Sequence, residues 1–221
     1  MDKTIENSTI HNQMTAEAFR RWEHTGIAEW VDGVVFQMPV TYEHQTTVSF
    51  LNRLIGMFVQ AFRLGTCHSV RYSMRLRQGQ SMREPDLMFV SQAHAQQITS
   101  GGLEGPADLI IEVVSTESVA RDYDDKYQEY QDGGVREYWI IDSRPDRQRV
   151  SFFVLDERGK YRPVPPDANV YRSTVLANFW LKTDWLWQAP SPPIEALLLE
   201  IGGDAYIQYL TTLLKQHAKS A

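Results

Sequence analysis

The apolar positions in the first half of the chain follow two different periods. Over residues 46–64 they recur every three to four positions, which predicts a helix with one buried face. Residues 70–77 alternate between apolar and polar, which predicts a strand with one core face and one cationic face. Residues 87–90 and 109–114 are apolar almost throughout, as is typical of strands buried on both faces of a sheet. Together these patterns predict a helix followed by three strands.

The neighbouring segments complete an α/β pattern. A short helix at 16–24 and a hairpin at 28–36, with an Asp-Gly pair at its turn, are predicted upstream. Downstream, residues 120–131 are predicted to form a polar helix and residues 137–142 a further buried strand. A passage from strand to helix to strand predicts a parallel crossover, so the central sheet is expected to be mixed.

The pattern changes after residue 142. Short strands and turns over 148–187 predict antiparallel β-structure, and a proline-rich break at 190–193 precedes two helical stretches at 194–201 and 204–216. The predicted organisation is a flexible leader (1–13), one domain (14–189) with a core (28–142) and a β extension (148–187), and a C-terminal helical extension (193–221).

The composition is that of an ordinary globular protein, with 221 residues, 43% hydrophobic content and a net charge of −6. No apolar stretch approaches the ~18 residues that span a bilayer, and the polar start has no signal-peptide core. The single cysteine, Cys67, excludes an internal disulfide and a cysteine-cluster metal site. We therefore expect a cytoplasmic protein without a membrane partner, in which any metal is bound by Asp, Glu, His or backbone oxygen.

The arginines are distributed unevenly. The net charge argues mildly against a nucleic-acid partner, because phosphate binding depends on Lys and Arg. Between Glu43 and Glu84, however, there is no acid and there are six arginines: Arg53, Arg63, Arg71, Arg75, Arg77 and Arg83. They form either a local positive surface or ordinary solvated positions that acids elsewhere in the fold balance.

Two acids stand in or beside buried strands. Glu112 lies in the middle of the apolar run 109–114, where an ionised carboxylate costs several kcal/mol unless a cation or hydrogen-bond donors compensate it. Asp86 directly precedes the neighbouring apolar run 87–90, and in a twisted sheet it can lie beside Glu112. The simplest shared partner is a divalent metal with oxygen ligands. The alternatives are that Asp86 caps a turn and that Glu112 pairs with a buried arginine or tyrosine.

Five motifs in a fixed order carry a resemblance to a known family. They are Glu29-x-x-Asp32-Gly33, Arg83-Glu84-Pro85-Asp86, Pro106-x-Asp108-Leu109-x-x-Glu112-Val113-x-Ser115, Lys126-x-x-x-Tyr130 and Gly134-Val135-x-Glu137-Tyr138-Trp139. Over residues 14–154 the chain resembles the restriction-endonuclease-like proteins of unknown function abundant in cyanobacteria, within the PD-(D/E)XK nuclease superfamily. The resemblance implies an α/β restriction-endonuclease-like core with the element order helix, three strands, helix, strand.

The chain departs from the superfamily pattern at one position. The superfamily has a lysine two residues after the strand acid, where this chain has Val114. The resemblance implies that Lys126 on the following helix replaces it, with Tyr130 one turn later available to order it. It further implies Asp86 and Glu112 as ligands of Mg²⁺, with Mn²⁺ as a substitute, and Glu29 as an accessory acid. Lys126 on a solvated helix with ordinary ion pairs, and Glu29 on a surface strand, are the alternatives.

The implied function is metal-dependent hydrolysis of nucleic-acid phosphodiester bonds, with DNA as the expected substrate. Arg71, Arg75 and Arg77 form the candidate phosphate-contacting face, and a homodimer is expected because a double-strand cut needs two copies. A catalytically inactive binding or structural module of the same fold is the main alternative, since it agrees with the acidic net charge and the missing in-strand lysine. Metal-dependent hydrolysis of another substrate is the third.

Overall fold

The computed structural model describes residues 9–11, 13–23, 27–38, 41–69, 72–76, 81–114, 118–119 and 121–220. The helices are α1 (Ala16–Arg21), α2 (Tyr42–Phe62), α3 (Lys126–Gly133) and α4 (Ile194–Ser220). A π-helical turn (Arg121–Asp125) leads directly into α3, and two 3₁₀ segments span Gln92–Gln97 and Thr183–Trp187. No helix within these ranges is long and apolar enough to cross a membrane.

The strands of the described residues belong to four sheets. They are β1 (Thr9–His11), β2 (Ile27–Val31), β3 (Val34–Met38), β4 (Gly65–Ser69), β5 (Met74–Arg75), β6 (Leu87–Ser91), β7 (Ile98–Thr99), β8 (Gly102–Glu104), β9 (Leu109–Val114), β10 (Glu137–Asp142), β11 (Arg149–Leu155), β12 (Tyr161–Pro163), β13 (Val170–Arg172) and β14 (Trp180–Lys182).

The central sheet has six strands in the order β12-β11-β10-β9-β6-β4. Strands β9 and β10 are parallel and flank α3, while the other neighbours in this sheet are antiparallel. The predicted mixed α/β fold is therefore confirmed. The element order helix, three strands, helix, strand is formed by α2, the central-sheet strands β4, β6 and β9, then α3 and β10. Strands β11 and β12 continue this sheet, while β13 and β14 pair with each other.

The first of the three predicted strands was wrong. The chain pairs with β6 already at 65–69, because α2 ends at Phe62 and Arg63 turns into the left-handed region with φ 53°. Gly65 permits this start, since a Cβ there would lie 2.1 Å from the Val90 carbonyl oxygen. Within the predicted strand 70–77, only Met74 and Arg75 form a strand, in a small sheet with β7 and β8, and residues 70–71 and 77 lie outside the described residues.

Turns and helix ends outside the central sheet agree with the sequence signals. Asp32 and Gly33 both have positive φ, 49° and 90°, as the two-residue turn between β2 and β3 requires. Thr15 caps α1 by accepting the Ala18 N–H. The two predicted C-terminal helices are segments of α4 that meet at Gly203, where φ is 50°. Thr9–His11, within the predicted leader, pairs with β3.

The sheet carries a hydrophobic core on each face. One core joins the odd-numbered residues of β9 to α2 and α4, and the other joins its even-numbered apolar residues to Tyr130 of α3 and Tyr138 of β10. Alternation along a strand therefore directs Glu112 toward α3. A third, smaller cluster lies between α1 and the β2–β3 hairpin.

The start of β9 is fixed by a buried carboxylate. Asp108 accepts the Ser91 N–H at 2.7 Å and lies 3.0 Å from His94 Nδ1. Burial raises the pKa of Asp108, but these donors outweigh burial and hold the pKa below its usual value. The ionised carboxylate therefore ties the end of β6 to the beginning of β9.

Candidate active site

Strand register brings the first two predicted residues together. Strands β6 and β9 run antiparallel with Leu87 opposite Ile111, so the register extended by one residue sets Asp86 opposite Glu112. Residues directly opposite one another share a face of the sheet. Asp86 Oδ2 also accepts the Val113 N–H at 2.7 Å, and both carboxylates are buried. The two acids thus lie on neighbouring strands, on the face that α3 covers.

Helix α3 contributes Lys126, which is 2% exposed. Its Nζ lies 3.0 Å from Glu112 Oε2, 2.9 Å from Glu29 Oε1 and 3.1 Å from Asp122 Oδ1. Burial lowers the pKa of Lys126, but the three carboxylates outweigh it and raise the pKa well above the usual value. The alternative of a solvated lysine was wrong: Lys126 is a permanently charged ammonium among buried acids.

Strand β2 contributes Glu29, which is 0% exposed, so the alternative of a surface strand residue was also wrong. Its second oxygen accepts a hydrogen bond from Arg83 Nη1 at 3.0 Å. Burial raises the pKa of Glu29, but the charges of Lys126, Arg83 and Arg121 outweigh burial and hold it at about 2. Glu29 is therefore ionised at neutral pH and lies between the ammonium and the guanidinium groups.

Tyr130 lies one turn after Lys126, as the sequence predicted, but contacts a different residue. Its hydroxyl donates to Glu112 Oε1 at 2.7 Å, so it orients the strand acid directly. The pKa of Glu112 is raised to about 8, and burial is the largest cause. The charge of Lys126 lowers this pKa, whereas the charges of Asp86, Asp122 and Glu29 raise it further. The cluster therefore disfavours the charged form of Glu112.

Sequence reasoning missed two residues of this cluster. His44, at the start of α2, has Nε2 3.1 Å from Asp86 Oδ2. Burial lowers the pKa of His44, but the hydrogen bond and charge of Asp86 outweigh burial and raise it. The available signal was a histidine on the apolar stripe of a helix. Asp122, four residues before Lys126, was not among the predicted site residues, yet it is buried and contacts Lys126.

Two arginines of the predicted basic stretch have acidic partners in the structure. Arg83 is buried and bonds to Glu29 and to Glu129, the latter at 2.6 and 2.9 Å. Arg75 donates twice to Glu104, at 2.9 and 3.0 Å. For these two residues the second interpretation holds: acids elsewhere in the fold balance them. Arg71 and Arg77 lie outside the described residues, so the phosphate-contacting face stays a prediction.

The donor set of the cluster suits a hard cation. Among the described residues, no group of three or more His, Cys, Asp or Glu side chains is arranged to hold a metal ion. Asp86 and Glu112 carry oxygen donors of the kind that Mg²⁺ prefers, and Mg²⁺ binds through one or two carboxylates while it keeps several waters. The raised pKa of Glu112, caused first by burial and then by neighbouring acids, agrees with a site that favours added positive charge.

Comparisons with known proteins identify the fold and the family of the chain. The structure is similar to the crystal structure of a putative nuclease belonging to DUF820 from Anabaena variabilis, with a TM-score of 0.62 and 19% identity, over 79% of this chain and 97% of that one. At that identity the likeness shows a common fold. No curated protein matches the chain. The model of the Uma2 family, described as putative restriction endonuclease, matches residues 16–184 and confirms the predicted restriction-endonuclease-like family. The chain therefore belongs to the Uma2 family of putative restriction endonucleases, whose function is nuclease-like.

Proposed function

We propose that this protein is a metal-dependent endonuclease that hydrolyses phosphodiester bonds in DNA. The observation that carries the proposal is the buried cluster in which Asp86 is opposite Glu112 by register and the Lys126 ammonium lies 3.0 Å from Glu112. A structural ion pair needs one acid and one base, whereas here a group of buried acids surrounds two buried cations, Lys126 and Arg83, and the side chain of His44. Such an excess of buried charge is more often found at a functional site than in a fold that only needs stability.

Asp86 and Glu112 are the proposed ligands of Mg²⁺, for which Mn²⁺ can substitute. A divalent cation held there would supply Lewis acidity at the phosphate and lower the pKa of the attacking water. Lys126 carries a positive charge at every working pH, since its pKa is raised by the acids around it despite burial. That charge would stabilise the negative charge that grows on the phosphate during attack.

Glu29 and His44 are proposed to position these groups. Glu29 contacts Lys126 at 2.9 Å and Arg83 at 3.0 Å, so it links the ammonium to the guanidinium. An accessory role at the cation, directly or through water, is the second part that Glu29 can take. His44 bonds to the same Asp86 oxygen that accepts the Val113 N–H, which leaves the other oxygen of Asp86 for a ligand.

The assembly and location follow from the proposed reaction. A double-strand cut needs two such clusters, so we propose a homodimer, which sedimentation of the purified protein would test. A cytoplasmic location is proposed because the chain has a single cysteine, Cys67, which fits a reducing compartment.

The test uses plasmid DNA and a single-stranded oligonucleotide, each incubated with the purified protein and Mg²⁺ or Mn²⁺. The protein should cut at least one of them, and EDTA should stop the cutting. Glu112→Gln and Asp86→Asn should each lower the rate at least about 100-fold, because several kcal/mol of charge stabilisation are lost.

The matched control is Glu157→Gln, which makes the same change at an exposed turn. It should cut like the unsubstituted protein, which excludes a contaminating nuclease and a general effect of charge. Cutting that persists in Glu112→Gln would contradict the proposal. DNA binding without any cutting would favour the inactive module of the same fold.

A further inference from the structure

An arginine-lined hollow opens at the carboxyl end of β10. Its volume is about 450 Å³, and its walls include Arg144, Arg147 and Arg149 together with Tyr123 and Asp142. The three arginines lie within six residues: Arg144 and Arg147 are on the loop that joins β10 to β11, and Arg149 begins β11. Loops at the carboxyl ends of parallel strands often bear the binding groups of α/β proteins.

The hollow lies on the same face and at the same end of the sheet as the cluster of acids. Asp142 is paired with Val114 on β9 and with Arg149 on β11, and Glu112 lies two residues before Val114. Residues opposite one another or two apart share a face of the sheet. Arg149 is two strands across and two residues along from Glu112, which corresponds to about 12 Å between their Cα atoms.

The π-helical turn before α3 also connects the cluster of acids to the hollow. Tyr123, in the wall of the hollow, directly follows Asp122, whose carboxylate contacts Lys126 at 3.1 Å. Its hydroxyl lies 3.5 Å from Ser151 Oγ on β11, so the π-helical turn spans from the cluster to the hollow.

The charges in the hollow leave two arginines available. Arg144 makes a bidentate pair with Asp142, at 2.6 and 2.8 Å, and this pair fixes the base of the loop. Arg147 is exposed and lies 3.7 Å from the equally exposed Asp146, a weak contact. Arg149 is exposed and has no acidic partner within 4 Å among the described residues.

We propose that Arg147, on a loop whose base is fixed by Arg144, and Arg149, at the start of β11, bind phosphates of the nucleic-acid strand that enters the acidic cluster. The proposal rests on the proposed nuclease function. The phosphates of one DNA strand recur every ~3.4 Å along the helix axis. The distance of about 12 Å between Arg149 and Glu112, laid along that axis, therefore covers three to four phosphates. Guanidinium groups bind phosphate oxygens in a bidentate way, which an acidic protein needs wherever it meets DNA.

The experiment measures DNA binding by fluorescence anisotropy in EDTA, where no cleavage occurs. The ligand is a 20-base-pair duplex of arbitrary sequence, titrated at several salt concentrations. The variant Arg147→Gln/Arg149→Gln should bind more weakly, and its slope of log affinity against log salt should fall by about 1.8, because each lost phosphate contact removes about 0.9.

The matched control is Arg53→Gln/Arg172→Gln. Both of these arginines are exposed, and their elements α2 and β13 pack against the opposite face of the sheet. This variant has the same net charge as the first and should keep the original slope. Equal slopes for the two variants overturn the inference while leaving the nuclease function intact. Absence of salt-dependent binding by the unsubstituted protein overturns the inference as well, and cleavage assays then show separately whether the proposed function also fails.

Discussion

Replacement of Lys126 by methionine removes a buried ammonium that contacts three carboxylates within 3.1 Å. Methionine matches the length and apolar stem of lysine, so little packing is lost. Removing one partner of a buried ion pair costs about 3–5 kcal/mol, because the remaining charge is left uncompensated. Lys126 has three such partners and is 2% exposed, so solvent screening does not reduce the cost. We expect Lys126→Met to lower the free energy of unfolding by about 3–5 kcal/mol.

Glu112→Gln provides the contrast within the same cluster. Burial first, and then the charges of neighbouring acids, raise the pKa of Glu112 to about 8, so its charged form is unfavourable in the folded protein. Glutamine keeps an acceptor for the Tyr130 hydroxyl, and the loss should stay within about 1 kcal/mol. Urea unfolding at pH 7 in EDTA, followed by tryptophan fluorescence and circular dichroism, measures both values. Equal costs for the two variants would refute the reasoning that the cluster has an excess of acid.

Three further predictions concern single residues. Asp108→Asn should lower stability by about 1–3 kcal/mol at pH 7. Hydrogen-bond donors outweigh burial and lower the pKa of Asp108 in the folded protein, so the full stability difference should be present above the unfolded pKa of about 3.9. The difference should vanish as the pH falls through the folded pKa, which urea titrations at pH 3 to 7 would show. His44→Ala should weaken Mn²⁺ binding in calorimetry about 10–100-fold, because the group that orients Asp86 is lost; unchanged affinity would contradict that role. Gly65→Ala should cost about 2–4 kcal/mol, since its Cβ would lie 2.1 Å from the Val90 oxygen at a φ of 155°, and thermal unfolding would measure it; a neutral effect would contradict the close approach.

The pairing of Asp86 with Glu112 could be predicted from the sequence because each acid lies in or beside an apolar run, and neighbouring strands bring such residues together. The order of the motifs identified Lys126, although the strand itself offers Val114 at the usual position. The π-helical turn before α3 and the i, i+4 spacing of Asp122 and Lys126 are local features. They acquire meaning only once α3 is packed on the sheet.

The errors in the sequence interpretation have long-range causes. Strand β4 was missed because Gly65–Ser69 has little hydrophobic alternation, and its position depends on the close approach of Gly65 to β6. The sequence left open whether Arg83 belongs to a positive surface, because its partners, Glu29 and Glu129, are 54 and 46 residues away in the chain. Contacts across such separations leave no periodic signal in one sequence.

The most direct test of the central claim is the anomalous scattering of a crystal soaked in Mn²⁺. We expect one manganese peak about 2.1 Å from a carboxylate oxygen of Asp86 and from one of Glu112, with the Lys126 ammonium beside it. A crystal in which manganese binds elsewhere, while Lys126 still fills the space at Glu112, would contradict this assignment of the metal ligands.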